Sequence, residues 1–146
     1  MIDLSNFGEN LSAVMLEHNI NAPALAKHLN IDRSNITRYM RGARLPSFQV
    51  FLAILEYFSV SADVLLGFKD YSNSTNFLPT PPFGDRLREV MKETNTTQYR
   101  IEKEAHISGS SMHEWLSGQG FPSVTSLVTL ASFMEVSIDY LLGRIR

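Results

Sequence analysis

The sequence predicts an all-α protein built from two similar five-helix units in tandem. Three observations predict it. The first is an internal repeat. Val60-Ser61, Asp63 and Leu65-Leu66-Gly67 recur 76 residues later as Val136-Ser137, Asp139 and Leu141-Leu142-Gly143. The same offset holds along the chain without a gap. It brings Phe7-Gly8 onto Phe83-Gly84, Leu11 onto Leu87, Val14-Met15 onto Val90-Met91, and Asn19 onto Asn95. It also brings Ile31 onto Ile107, Ser34 onto Ser110, Gly42 onto Gly118, and Pro46-Ser47 onto Pro122-Ser123. The second observation is that apolar residues recur at three- and four-residue spacing, with none of the strict alternation of a strand. The third is the punctuation: small polar residues precede the apolar stripes, and glycine follows several of them. The predicted units are residues 1–67 and 83–146. The stretch 68–82, FKDYSNSTNFLPTPP, reads as a semi-extended linker that spans at most about 50 Å.

Bulk composition agrees. A chain of 146 residues suffices for two very small domains. With 44% hydrophobic and 19% charged residues it has the balance of a folded chain rather than a disordered one. The absence of cysteine excludes disulfides, thiolate nucleophiles and cysteine-based metal sites, and fits a reducing compartment. The N-terminal MIDLSNFGEN lacks the basic-then-apolar order of a signal peptide. The longest apolar run, Val50 to Leu55, is too short to cross a bilayer. A cytoplasmic protein with no membrane partner is expected.

In the first unit, Phe7, Leu11, Val14 and Met15 mark one face of an amphipathic helix. Asn21 caps a second helix of about 22–29, with Pro23 tolerated in its first turn and Leu25, Ala26 and Leu29 inward. Asp32 caps a third of about 33–41, with Ile36 and Met40 inward and Gly42 as its stop. Pro46-Ser47 opens a fourth with the stripe Phe51, Ile54, Leu55 and Phe58, and Ser61 caps a short fifth closed by Gly67. In the second unit Ser108, Ser123 and Ser137 take over the caps of Asp32, Ser47 and Ser61, and Gly118 and Gly143 the stops.

Two short helices joined by Asn30-Ile31-Asp32 have helix-turn-helix spacing, and the second of them fits a DNA major groove. A net charge of −2 argues against nucleic acid as an average, but the charge is uneven. Arg33, Arg38, Arg41 and Arg44 fall within twelve residues, and no acid lies between Asp32 and Glu56. Positions 33, 37, 38 and 41 share one helix face. Guanidinium groups there can fork onto guanine or neutralise phosphate, and Ser34 and Thr37 add hydroxyls. Solvation of an exposed helix face is the plain alternative for the arginines.

These residues resemble the lambda-repressor-like Cro/C1 (Xre-type) helix-turn-helix family. The resemblance rests on Ala24-Leu25-Ala26, on Asn30 through Ile36, on Arg41-Gly42-Ala43-Arg44-Leu45-Pro46-Ser47, and on the close from Ser59-Val60-Ser61 to Gly67. It covers both units. It implies two lambda-repressor-like five-helix domains and a double-stranded-DNA-binding transcription regulator, commonly a repressor and a homodimer. It also implies base-facing roles for Arg33, Ser34, Thr37 and Arg38, phosphate or groove-edge roles for Arg41 and Arg44, and a phosphate at Asn21 and the amides that follow. The family often has glycine in the turn; here Asn30 and His106 stand there, both residue types that tolerate positive φ. It often has glutamine at the start of the second helix; Ala22 replaces it in the first unit and Gln98 keeps it in the second.

The second unit differs where it matters. No Lys or Arg lies between Lys103 and Arg144, Glu114 replaces Arg38, and Gly120 replaces Arg44. Its bases sit at Arg86, Arg88, Arg100 and Lys103. A diverged unit kept for dimerisation, partner binding or weak DNA reading is expected. The rival is a covalent pseudo-dimer in which Gln98, Ser110 and His113 also read DNA. Trp115, matching Tyr39, reads as core. His106, His113, Glu102 and Glu114 lack zinc-site spacing, so no metal or cofactor is expected. No nucleophile-elbow or P-loop pattern occurs, so no catalysis is assigned. A protein-interaction module of antitoxin-like or anti-repressor type, reusing the same fold, is the alternative function.

Overall fold

A computed structural model describes residues 3–72 and 76–146. The regular elements among them are ten helices: α1 (Phe7–Glu17), α2 (Ala22–Leu29), α3 (Arg33–Met40), α4 (Phe48–Phe58), α5 (Ala62–Leu65), α6 (Phe83–Glu93), α7 (Gln98–Glu104), α8 (Gly109–Ser117), α9 (Val124–Phe133) and α10 (Ile138–Leu142). Contacts divide the described residues into two compact units, 3–72 and 76–146. No described helix is long and apolar enough to cross a membrane.

In the first unit, α3 packs against both α1 and α2, α4 against α2, and α5 against α1. The core is Phe7, Leu11, Leu25, Ile36, Phe51, Ile54, Leu55 and Leu65, all buried. Each such side chain contributes on the order of 1.5–3 kcal/mol by leaving water. The helix starts are set locally. Asn21 Oδ1 accepts the Ala24 N–H at 3.0 Å, Ser47 Oγ the Val50 N–H at 3.3 Å, and Ser61 Oγ the Val64 N–H at 3.2 Å. Pro46 is buried just ahead of the Ser47 cap.

One close approach fixes the angle of α1. A Cβ on Gly8 would lie 2.6 Å from the Met40 carbonyl oxygen and 2.7 Å from that of Tyr39. Only a glycine lets α1 rest on the C-terminal end of α3. The second unit repeats the device: a Cβ on Gly84 would lie 2.6 Å from the Trp115 carbonyl oxygen.

The second unit is held by Leu87, Val90, Ile101, Met112, Trp115, Leu127, Leu130 and Leu141, all buried. Ser108, Ser123 and Ser137 cap α8, α9 and α10, accepting from Ser111, Ser126 and Tyr140 N–H groups. Residues 77–82 are not free of this unit, as the linker composition suggested. The Leu78 N–H donates to the Arg144 carbonyl at 2.9 Å, the Arg144 guanidinium lies 4.1 Å over the Phe77 ring, and Pro82 precedes α6 as its N-cap residue. Arg144 also pairs with Asp139 at 2.6 Å, with both side chains buried.

Candidate nucleic-acid interface

α2 and α3 meet at a tight corner. Asn30 closes α2 in the left-handed conformation, φ 56° and ψ 45°, which lets the Ile31 N–H reach the Ala26 carbonyl at 3.0 Å. His106 takes φ 57° at the matching place in the second unit. Asp32 then turns the chain into α3, its carboxylate accepting the Ser34 N–H at 3.5 Å. The geometry expected of Asn30 and His106 is thus the observed one.

The buried face of α3 is Ile36 and Tyr39. The expectation of Met40 inward is corrected: Met40 is only half-buried, and Tyr39 is the second anchor. The phase differs because α1 crosses the last turn of α3 at Gly8, touching the carbonyls of residues 39 and 40. Burial holds the Tyr39 phenol above its ordinary pKa, with the Arg44 charge opposing it only in part.

The outer face carries the arginines. Arg33 and Arg38 are exposed on α3, and Arg41 and Arg44 are exposed just beyond it. Ser34 and Thr37 are half-buried between them, and the Thr37 hydroxyl donates to the Arg33 carbonyl at 3.3 Å. Among the described residues, none of the four arginines forms an ion pair. Their charges are available to a ligand. Arg38 Nη1 donates to Asn35 Oδ1 at 3.4 Å. Asn35 thus steadies Arg38 on its face, a role the sequence reading missed although the two stand at i, i+3 spacing. Asn21 is exposed, but its side-chain oxygen is committed to the cap.

The second unit offers a different surface at the matching corner. Gln98, Ser110 and His113 are exposed, as is Glu114 in the place of Arg38. Arg86, Arg88 and Arg100 are engaged. Arg86 is 1% exposed and donates through Nε and Nη2 to the Tyr140 carbonyl at 3.1 and 2.7 Å. Arg88 donates to the Leu116 carbonyl at 2.7 Å, and Arg100 pairs with Glu104 at 2.8 Å. Lys103 Nζ lies 5.8 Å over the Tyr99 ring.

A capped helix, a left-handed corner and a second helix with an unpaired cationic face together define a helix-turn-helix unit. A family model described as helix-turn-helix domain matches residues 7–66. It agrees with the Cro/C1-type resemblance. The chain is 32% identical over 61 residues to the HTH-type transcriptional activator BcrR of Enterococcus faecalis, which covers 42% of this chain and 30% of that protein. It is 40% identical over 60 residues to the cryptic phage CTXphi transcriptional repressor RstR of Vibrio cholerae, covering 41% of this chain and 54% of that protein. The chain therefore spans about half or less of the length of these curated relatives. No solved structure matches it.

Proposed function

We propose that this chain is a DNA-binding transcription regulator that enters the major groove of duplex DNA with α3 of the first unit. The observation that carries the reading is the face formed by Arg33, Arg38, Arg41 and Arg44, exposed and without ion-pair partners on a helix held by a corner of groove-reading shape. Arg33, Ser34, Thr37 and Arg38 meet base edges, while Arg41, Arg44 and the α2 terminus at Asn21 meet the backbone. The helix-turn-helix match and the regulator names of two relatives support the same class.

The regulation is repression by occupancy of an operator. The higher of the two identities is to a repressor, and occupancy asks nothing of the protein beyond binding. The working form is a homodimer in the cytoplasm, since one eight-residue α3 reads too few base pairs for a unique site and a two-fold pair reads two half-sites. The second unit serves dimerisation or partner binding.

The test is selection of bound fragments from a genomic library, followed by mobility shift of the winning duplex. One short operator is expected. Arg38→Ala, which removes no buried contact, is expected to weaken it by about 1–3 kcal/mol with an unchanged melting curve. Unchanged binding by that variant would remove α3 as the reader.

A further inference from the structure

In the first unit, Arg33 opens α3 and Arg44 lies in the turn after it. Seventy-six residues on, both are glycine: Gly109 and Gly120. A glutamate side chain lies beside each glycine. A Cβ on Gly109 would lie 2.8 Å from Glu102 Oε1, and a Cβ on Gly120 would lie 3.0 Å from Glu114 Oε2. In both cases the near atom is the carboxylate end of a glutamate side chain, so each carboxylate lies beside its glycine. Glu102 occupies the position of Ala26 in the first unit, and Glu114 that of Arg38. Two arginine positions of one unit have become, in the other, a glycine covered by a glutamate.

The electrostatics follow. Glu102 lies against the first residue of the nine-residue α8, where backbone N–H groups and the helix dipole favour an anion. The Glu102 carboxylate lies beside that end of the helix. Glu114 puts a second negative charge toward the other end of the same helix; neither glutamate forms an ion pair among the described residues, and Arg88 is held on the Leu116 carbonyl at 2.7 Å. Beneath them the frame is intact. Ser108 caps α8, His106 takes the left-handed turn, and Ile101, Met112 and Trp115 anchor the corner. The obstacle to an anionic ligand is chemical, not architectural.

The geometry points to Glu102 and Glu114, seated on Gly109 and Gly120, as the selectivity residues that keep duplex DNA off the second unit and leave it to the first. The inference rests on the reading that the arginine face of the first unit binds DNA. The test is therefore built on the full-length chain carrying Arg33→Ala, Arg38→Ala, Arg41→Ala and Arg44→Ala. Binding of a labelled random-sequence duplex is followed by fluorescence anisotropy across a salt series, with thermal melts of each variant alongside. Adding Glu102→Ala, Gly109→Arg, Glu114→Arg and Gly120→Arg together is expected to restore binding. The logarithmic salt slope then steepens by about 0.9 for each phosphate met. Gly109→Arg with Glu102 retained is expected to stay at background, because the new guanidinium pairs with the carboxylate beside it. A folded quadruple variant that binds no better than its background overturns the inference. Should that variant melt early, Glu102→Gln with Glu114→Gln removes both charges at nearly constant shape. It must raise the background affinity, and no rise overturns the inference equally. A background chain that already binds like the unmodified protein instead sinks the reading of the first unit.

Discussion

At the scale of single residues, the two units solve one problem twice with different side chains. Asn10 Nδ2 donates to the Leu65 carbonyl at 3.0 Å, tying α1 to α5. At the matching place Arg86 donates to the Tyr140 carbonyl, tying α6 to α10. The carbonyls at the end of a short helix have no partner within it, so some donor must reach them from outside. Arg86 is thus structural, whereas the sequence counts it among the bases of the second unit. Composition records a charge but not its direction. The repeated Phe-Gly pair was visible in the sequence as a repeat, but its reason was not. The carbonyls that exclude a side chain at Gly8 lie more than thirty residues away, at Tyr39 and Met40. Gly8→Ala is expected to destabilise the first unit by about 1–3 kcal/mol, since a backbone oxygen cannot move aside as a side chain can. A thermal melt of the variant checks it, and an unchanged midpoint would refute the close packing of α1 on α3.

At the scale of elements, the corner between α2 and α3 was the most legible part of the molecule. Caps and left-handed turns are decided by neighbours within four residues, and Asn21, Asn30, Ser47, Ser61, Ser108, Ser123 and Ser137 each do what their local sequence specifies. The rotation of α3 was less legible. An eight-residue helix has two turns, too few for its apolar period to separate Tyr39 from Met40 as the buried anchor. Residues 77–82 misled for a similar reason. Their Pro- and Thr-rich composition reads as a linker, while the contact that holds them, Phe77 beneath Arg144, spans 67 residues. The corner itself yields a prediction. Asn30 tolerates φ 56° but glycine does so without a Cβ penalty, and a β-branched residue does so worst. Asn30→Gly is expected to hold or raise the melting midpoint, and Asn30→Val to cost about 1–2 kcal/mol. Equal stability of the two variants in chemical denaturation would mean the turn does not require the left-handed conformation.

At the scale of the whole molecule, the decisive quantity is where charge lies and whether it is already paired. A net charge of −2 gives no reason to expect DNA binding. At physiological salt, however, a charge is felt over only about 8 Å, so a ligand at α3 meets the local arginines and not the average. The first unit presents Arg33, Arg38, Arg41 and Arg44 unpaired; the second holds Arg86, Arg88 and Arg100 against carbonyls and a carboxylate. This contrast fixes how affinity should depend on salt. With Arg41 and Arg44 on phosphates, each bound chain contributes a slope of about −1.8 in log K against log salt, and a dimer about twice that. Arg41→Ala or Arg44→Ala is expected to make the slope shallower by about 1 per site, equally on specific and random duplexes. Arg38→Ala is expected to narrow the gap between specific and random duplexes instead, because a base contact discriminates and a phosphate contact does not. Arg88→Ala and Arg100→Ala, whose guanidiniums are already engaged, are expected to leave the slope where it was. A slope near zero for the unmodified chain, or one that responds to Arg100 and not to Arg41, would mean that the cationic face of the first unit is a solvated helix surface and that the chain recognises its target by other means.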